Sequence, residues 1–240
     1  FFIKACDLGE AKGCMNGALL FSKMRGKKAN LKSIELYTRA CNLNQAEACF
    51  NAGWRRSLIR DRKVVNLAPE LYLKACTLNR HLGCLRAGLM WQEGTLVPRD
   101  MKRARNAYAL GCTKGNPDAC YNLGLILEDD TTLATRYKKA AHYYRQGCSL
   151  KMYKACTNLG ALYEKGLLGK KRRAMAKPWL TKACEHKDPI GCYFLGKLYQ
   201  GDALGRPSPG LARKYLKRAC RKRIKAACMR LKMLRRRRRR

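Results

Sequence analysis

The fourteen cysteines are the residues of this 240-residue sequence with the widest chemical repertoire. A thiolate can bind a metal, act as a nucleophile or form a disulfide. The cysteines fall in seven pairs, and seven residues separate the members of each pair: Cys6/Cys14, Cys41/Cys49, Cys76/Cys84, Cys112/Cys120, Cys148/Cys156, Cys184/Cys192 and Cys220/Cys228. Structural zinc sites combine four ligands and use shorter spacings between cysteines, so we expect no metal site here.

Other groups that could support catalysis are few. Three histidines, His81, His142 and His186, lie far apart and have no cysteine or serine partner at a recurring spacing. The sequence contains neither the paired S-x-x-K and K-T-G motifs of serine-dependent β-lactam chemistry nor a phosphate-binding P-loop. We therefore predict a protein that is not an enzyme and that uses no cofactor and no small-molecule substrate.

The cysteine pairs recur every 35 or 36 residues, and other residues keep the same register. A fixed period of this length is typical of repeat arrays, in which each unit packs on its neighbours. Glycine inside a helix costs about 1 kcal/mol relative to alanine, so a recurring glycine predicts the close approach of a neighbouring helix. Glycine is the fourth residue after the second cysteine at Gly53, Gly88, Gly124, Gly160 and Gly196. The fourth residue before the first cysteine is Phe2, Tyr37, Tyr72, Tyr108 or Tyr144, and later Leu180 or Leu216.

This periodicity and a composition rich in Ala, Leu, Lys and Arg predict an all-α solenoid with two short antiparallel helices per unit. We call the helix that carries the second cysteine of a pair the A helix, and the helix that carries the first cysteine the B helix. We expect the A helices to line the concave side of an array over residues 1–234, made of about six full units and partial end units, before an arginine tail at 235–240. Because the chain opens with the end of a repeat, we also expect that further chain precedes Phe1.

The spacing within each cysteine pair permits a local disulfide only if the chain doubles back. Positions i and i+8 of one continuous helix are about 12 Å apart, whereas a disulfide needs Cα atoms within about 7 Å. Five of the seven segments between paired cysteines contain Gly, Asn or Pro, which favours a helix–helix turn. A bridge within each pair would thus join a B helix to the following A helix. Reduced thiols that pack as small apolar residues are the alternative.

The repeat unit resembles the Sel1-like repeat, a relative of the tetratricopeptide repeat. The frame KAC-x7-C-x3-G, from Lys74 through Cys76 and Cys84 to Gly88, carries the resemblance, together with the loop from Gly94 to Asp100. More narrowly, the chain is similar to the cysteine-rich Sel1 proteins, which include the Helicobacter cysteine-rich proteins and a Sel1-repeat cytochrome c oxidase assembly factor. The resemblance implies an α-solenoid with one disulfide per repeat that acts as an adaptor or scaffold. The loops at 25–30 and 60–66 depart from the pattern, as does Lys232.

Positive charge is the strongest functional signal. The chain carries 53 basic and 16 acidic residues, and residues 170–240 contain 25 basic residues against 3 acidic ones. Such an excess repels itself unless an anionic partner is bound, and arginine binds phosphate with two parallel hydrogen bonds. We therefore predict that the following residues bind RNA: Lys170, Lys171, Arg172, Arg173, Arg213, Lys214, Lys217, Arg218, Arg221, Lys222, Arg223, Lys225, Arg235, Arg236, Arg237, Arg238, Arg239 and Arg240. An apolar stripe is expected to dock the last helix through Ile224, Ala227, Cys228, Leu231 and Leu234.

Two functions fit these features, and both place neighbouring proteins on the concave face. The charge favours a structural RNA-binding subunit of a large ribonucleoprotein, best matched by a mitochondrial ribosome, with ribosomal RNA as the partner. The cysteines favour a protein–protein adaptor or assembly factor in an oxidising compartment, such as the intermembrane space, the periplasm or the extracellular medium. The basic tail would then contact anionic lipid or a protein. We take the first as the main hypothesis, with a mitochondrial location, and the second as the alternative, with a periplasmic or secreted one.

Overall fold

The structure is a computed structural model that describes residues 1–59 and 61–237, without the side chains of 170–172 and 235–237. Within these residues the regular structure is helical throughout, as predicted, and helices that follow one another within a unit pack together, for example α2 with α3 and α13 with α14. The chain forms two compact units, Phe1–Ala119 and Cys120–Arg240. The helices are α1 Phe2–Asp7, α2 Ala11–Lys23, α3 Lys27–Asn42, α4 Ala46–Ser57, α5 Arg62–Val65, α6 Ala68–Thr77, α7 Leu82–Glu93, α8 Met101–Thr113, α9 Pro117–Asp129, α10 Arg136–Ser149, α11 Tyr153–Glu164, a 3₁₀ helix Lys170–Met175, α12 Ala176–Glu185, α13 Pro189–Gln200, α14 Pro209–Arg221 and α15 Lys225–Arg237.

Each B helix leads into its A helix through the same tight turn. The third residue after the first cysteine has a positive φ in all seven turns, at Gly9, Asn44, Asn79, Gly115, Lys151, Lys187 and Arg223. Backbone hydrogen bonds close the turn, for example from Asn44 N–H to Cys41 C=O at 3.0 Å and from Gln45 N–H to Ala40 C=O at 3.2 Å. This left-handed cap ends the B helix, and glycine and asparagine adopt it at the lowest cost. Lysine and arginine occupy it in the last three turns, where the turn is kept without a favourable residue.

The recurring glycine, which five of the A helices carry, contacts the B helix of the next repeat, as its recurrence predicts. The B helix contributes the tyrosine or leucine that lies four residues before its cysteine. This side chain occupies the space that a Cβ on the glycine would need. A Cβ on Gly53, Gly88, Gly124, Gly160 or Gly196 would lie 3.0, 2.5, 2.4, 2.5 or 2.8 Å from Tyr72, Tyr108, Tyr144, Leu180 or Leu216, respectively. These tyrosine and leucine side chains are buried. The glycine register therefore sets how closely successive repeats pack.

Two connections between A and B helices contain helical turns that the sequence did not indicate. The short helix α5 lies in the loop 60–66, which departs from the repeat pattern. At the start of α5, the side chain of Asp61 accepts a hydrogen bond from Lys63 N–H at 2.9 Å. The second is a 3₁₀ helix over Lys170–Met175, which contains residues 170–173 of the predicted RNA-binding set. A backbone carbonyl of the preceding A helix stabilises this turn, because Arg173 Nε donates to Glu164 C=O at 2.9 Å.

Candidate functional site

The disulfides join each B helix to its A helix across the left-handed turn. Six bridges, Cys6–Cys14, Cys41–Cys49, Cys76–Cys84, Cys148–Cys156, Cys184–Cys192 and Cys220–Cys228, have Cα–Cα distances from 4.4 to 5.2 Å. The remaining cysteines, Cys112 and Cys120, are also disulfide-bonded, and no described cysteine is free. The predicted pattern of one local bridge per repeat is confirmed.

The bridges are shielded from solvent. The twelve cysteines of the first six pairs are at most 5% exposed, and only Cys220 and Cys228 are half-buried. A buried disulfide exchanges slowly because an attacking thiolate cannot reach the sulfur. These bridges are therefore structural staples between helices, and the function must be sought on the surface.

Two of the three histidines make local contacts. The His186 ring stacks on Tyr153 with 3.9 Å between ring centroids. His142 Nε2 lies 3.1 Å from the Gln146 amide nitrogen. Across the residues that the structure describes, no group of three or more histidine, cysteine, aspartate or glutamate side chains could hold a metal ion. Nor does any described helix have both the length and the apolar character needed to cross a membrane.

An exposed apolar face runs over α2 and α4, two A helices of the first unit. Leu19 on α2 and Trp54 on α4 are the fifth residues after their second cysteines, and their side chains are 48% and 46% exposed. The buried side of each helix carries small residues such as Ala18 and Ala52, which are fully buried, whereas Leu19 and Trp54 lie on the solvent side. Arg55 joins the two helices through a hydrogen bond from its Nη2 to Ser22 C=O at 3.2 Å.

Polar side chains border this apolar face at a matching register. Asn16 and Asn51 precede Leu19 and Trp54 by three residues, and Arg86 occupies the same position on α7. Residues three apart share one face of a helix. We call the surface formed by the side chains of Asn16, Leu19, Asn51, Trp54 and Arg86 the A face. The sequence analysis missed it, although apolar residues at the fifth position after the second cysteine, Leu19, Trp54, Leu89 and Leu125, were a readable signal.

A cavity of about 340 Å³ lies between two A–B connections of the first unit. One wall is formed by Arg62, Lys63 and Asn66, and the other by residues 94–98. Val97 anchors the second wall because its side chain is 4% exposed. Nearby, Arg56 Nη1 donates to Val64 C=O at 3.3 Å, and burial lowers the pKa of Arg56. This cavity adds cationic groups to the first unit but contains no cluster of catalytic groups.

Some of the predicted RNA-binding residues lie together on α14 and the turn that follows. Lys214, Lys217, Arg218 and Arg221 are exposed on α14, and the exposed run continues through Lys222, Arg223 and Lys225. Arg213 is half-buried, and its Nε atom is buried without a hydrogen-bond partner. The side chains of 170–172 and 235–240 lie outside the described residues. The structure does not test RNA binding by any of these groups, which stays a prediction.

Arg173 differs from the rest of the predicted set because it is paired within the fold. Its guanidinium lies 3.9 Å from a carboxylate oxygen of Glu164 and 3.7 Å from Asp202. Glu164 is buried, with 1% of its side chain exposed, and it also forms an ion pair with Lys197 at 3.0 Å. A buried carboxylate needs such partners because desolvation is costly. No pattern in the sequence indicated this cluster, whose members are brought together by packing between successive repeats.

Comparison with known proteins agrees with the fold and the repeat. The Sel1 repeat model matches residues 18–45, 81–116, 117–152, 154–188 and 189–223. A Sel1 repeat protein from Oxalobacter formigenes shares 20% identity over 91% of this chain and 64% of its own, with a TM-score of 0.72. The protective antigen c5321 of uropathogenic Escherichia coli, which has an SLR fold, shares 20% identity over 96% of this chain and 57% of its own, with a TM-score of 0.55.

Helicobacter pylori cysteine rich protein B matches 55% of this chain and 96% of its own, with 28% identity and a TM-score of 0.40. No curated protein matches the sequence. This chain spans less than two thirds of the length of the Oxalobacter and Escherichia coli structures. The predicted resemblance is thus confirmed by the repeat model and by the disulfides of the repeats. The chain belongs to the Sel1 repeat family.

Proposed function

We propose that this chain is a non-catalytic protein–protein adaptor that works in an oxidising compartment such as the periplasm or the extracellular medium. The A face carries the proposal, because two large apolar side chains, Leu19 and Trp54, are exposed on neighbouring helices of a rigid scaffold. Exposed apolar clusters rimmed by polar groups mark protein interaction sites. Tryptophan is enriched among the residues that dominate binding energies.

The chemistry of the A face indicates the kind of partner. Lys12, Lys23 and Arg86 are exposed on the same A helices, whereas exposed Glu47 is already paired with Arg80 at 2.9 Å. The side-chain amides of Asn16 and Asn51 have no partner in the described part of the chain, and each can both donate to and accept from a peptide backbone. The partner that fits is therefore a protein segment with apolar anchors and flanking acidic residues.

The cysteines support the compartment. Disulfides form and persist in oxidising environments and are rare where thioredoxin and glutathione keep thiols reduced. All fourteen cysteines of this chain are bridged, in a pattern that follows the repeat. The family match and the structural matches do not support the predicted ribosomal and mitochondrial role, so the adaptor replaces it as the function that we propose.

A photo-crosslinking residue placed at position 54 in the native host would test the adaptor function. We expect crosslinks to one defined protein. Trp54→Ala should weaken that complex and raise its Kd about 30-fold, if Trp54 contributes about 2 kcal/mol to binding. Leu31 is the matched control because its apolar side chain is 40% exposed on a B helix of the same unit. Equal crosslinks from positions 31 and 54, or an unchanged Kd for Trp54→Ala, would contradict the proposal.

A second measurement tests the compartment. Cells are quenched in acid and treated with a maleimide polymer that adds mass to each free thiol. We expect no mass shift before reduction and the shift of fourteen thiols after it, because every cysteine is bridged. A full shift without reduction would move the protein to a reducing compartment.

A further inference from the structure

The last A helix, α15, lacks the feature that lets other A helices receive a neighbour. In five of the six preceding A helices the fourth residue after the second cysteine is glycine, and in α2 it is Ala18. A Cβ on Gly196 would lie 2.8 Å from Leu216 of the next B helix. On α15 this position is Lys232, whose side chain is exposed. A lysine side chain is too long to fit where the other A helices carry glycine or alanine. The outer face of α15 is therefore closed to another repeat and open to a different partner.

The outer face of α15 alternates cations with apolar side chains. Lys225, Met229, Lys232 and Met233 follow one another at helical spacing, and all four are exposed. Met229 and Met233 are 57% and 61% exposed. The opposite side of the helix is anchored by Ala227, which is fully buried, and by Leu231, at 8% exposure. This part of the predicted apolar stripe does face the core, and the methionines form a second apolar strip on the surface.

The preceding helix adds a row of cations. Lys214, Lys217, Arg218 and Arg221 are exposed on α14, while Leu216 and other residues of its inner side are fully buried. Within the described part of the chain, none of these four cations forms an ion pair with a carboxylate. The Cys220–Cys228 bridge holds α14 and α15 together, with 4.8 Å between the two Cα atoms. The hairpin formed by α14 and α15 thus presents unneutralised positive charge and two exposed methionines on one rigid element.

We infer that the α14–α15 hairpin binds the surface of an anionic phospholipid membrane. Cations near an anionic leaflet are attracted to its headgroups, and exposed apolar side chains of an amphipathic helix enter the boundary of the acyl chains. On α15, Lys225 and Lys232 lie beside the exposed Met229 and Met233, which gives the helix this combination of cations and apolar side chains. RNA is a poorer fit, because single-stranded nucleic acid is held by aromatic stacking in addition to phosphate contacts, and methionine offers no ring on which a base could stack.

Co-sedimentation of the full chain with vesicles tests this inference. We expect binding to vesicles with about 30% phosphatidylglycerol and little binding to phosphatidylcholine alone. Each cation near the surface contributes about fivefold to the partition coefficient. The triple variant Lys214→Gln, Lys217→Gln, Arg218→Gln should therefore bind about 100-fold more weakly. The arginine run at 235–240 is present in every variant, so its contribution cancels in the comparison.

The methionine pair distinguishes a membrane from other polyanions. Met229→Gln with Met233→Gln removes apolar contact without changing charge, and we expect vesicle binding to fall about tenfold while binding to a homopolymeric RNA is unchanged. The matched control is Met24→Gln with Lys27→Gln and Lys28→Gln, because Met24 directly follows α2, the two lysines begin α3, and all three side chains are exposed. It should bind vesicles like the parent. The inference fails if the methionine variant binds vesicles normally, if RNA outcompetes vesicles, or if the control loses as much affinity as the triple variant.

Discussion

Replacing Gly124 with alanine should destabilise the protein, although alanine is the better helix former. Gly124 lies within α9, and an added Cβ would be 2.4 Å from Cε1 of Tyr144. Ordinary contact begins at 3.4 Å, so the ring would have to move by about 1 Å. The ring has little freedom to move, because Tyr144 is fully buried and its hydroxyl donates to Glu128 Oε2 at 2.7 Å.

The net effect of Gly124→Ala follows from three contributions. Overpacking of a filled site costs about 1–3 kcal/mol. Weakening the hydrogen bond between Tyr144 and Glu128 adds about 0.5–1.5 kcal/mol. The higher helix propensity of alanine offsets about 1 kcal/mol of this cost. We therefore expect the free energy of unfolding to fall by roughly 1–3 kcal/mol.

Urea denaturation followed by circular dichroism at 222 nm, with the disulfides intact, measures this change. Gly210→Ala is the matched control, because Gly210 lies in the first turn of α14 and a Cβ there would meet nothing within 4 Å. The control should be as stable as the parent or up to about 1 kcal/mol more stable. If Gly124→Ala were as stable as the control, the glycine would not be required for packing against the next repeat.

Two further predictions concern the turns and the buried tyrosines. Lys187 has a φ of 68°. Lys187→Gly should stabilise the protein by about 0.5–1 kcal/mol in the same assay, because glycine removes the strain of the left-handed conformation. Gly115→Ala, at the equivalent turn position, should destabilise it. Burial raises the pKa of Tyr108 and Tyr144 above the ordinary value of 10.0, so both stay neutral in the folded state at pH values where the unfolded chain ionises. The stability that the two tyrosines contribute is complete below pH 10 and is lost as the pH rises above it. Absorbance at 295 nm should show that their phenols ionise together with the loss of helix signal. Ionisation near pH 10 without unfolding would contradict the burial argument.

Much of the fold could be predicted because the determining interactions recur at one spacing. The pairing of Cys41 with Cys49 follows from a turn that lies between them, and the glycines follow from the need for close helix approach. The left-handed turn was harder to recognise, because Lys187 fills a position where glycine or asparagine would have signalled it. The 3₁₀ helix over Lys170–Met175 was missed because a contact to Glu164 C=O on another helix stabilises it.

The candidate surfaces were less predictable than the fold. Composition located the positive charge correctly in the last third of the chain, but it could not distinguish a paired cation from an unpaired one. Arg173 is paired with Glu164 and Asp202, whereas Lys214 is exposed on α14 without a carboxylate partner in the described part of the chain. Likewise, Trp54 could have been a core residue by type, and only its position on α4 shows that it is exposed.

The sequence alone thus determined the repeat, the helical hairpin and the disulfide pairs, because each depends on residues within one period of 35 or 36. The tertiary structure decided which side chains are exposed and which charges are neutralised. Glu164 and Lys197 are 33 residues apart, and they form an ion pair only because the successive A helices α11 and α13 pack side by side. Which side chains are exposed, and which charges pair between repeats, depends on how each helix is rotated within the packed array. The periodic sequence pattern determines which residues face the core, but it does not determine how the remaining side chains are arranged on the surface.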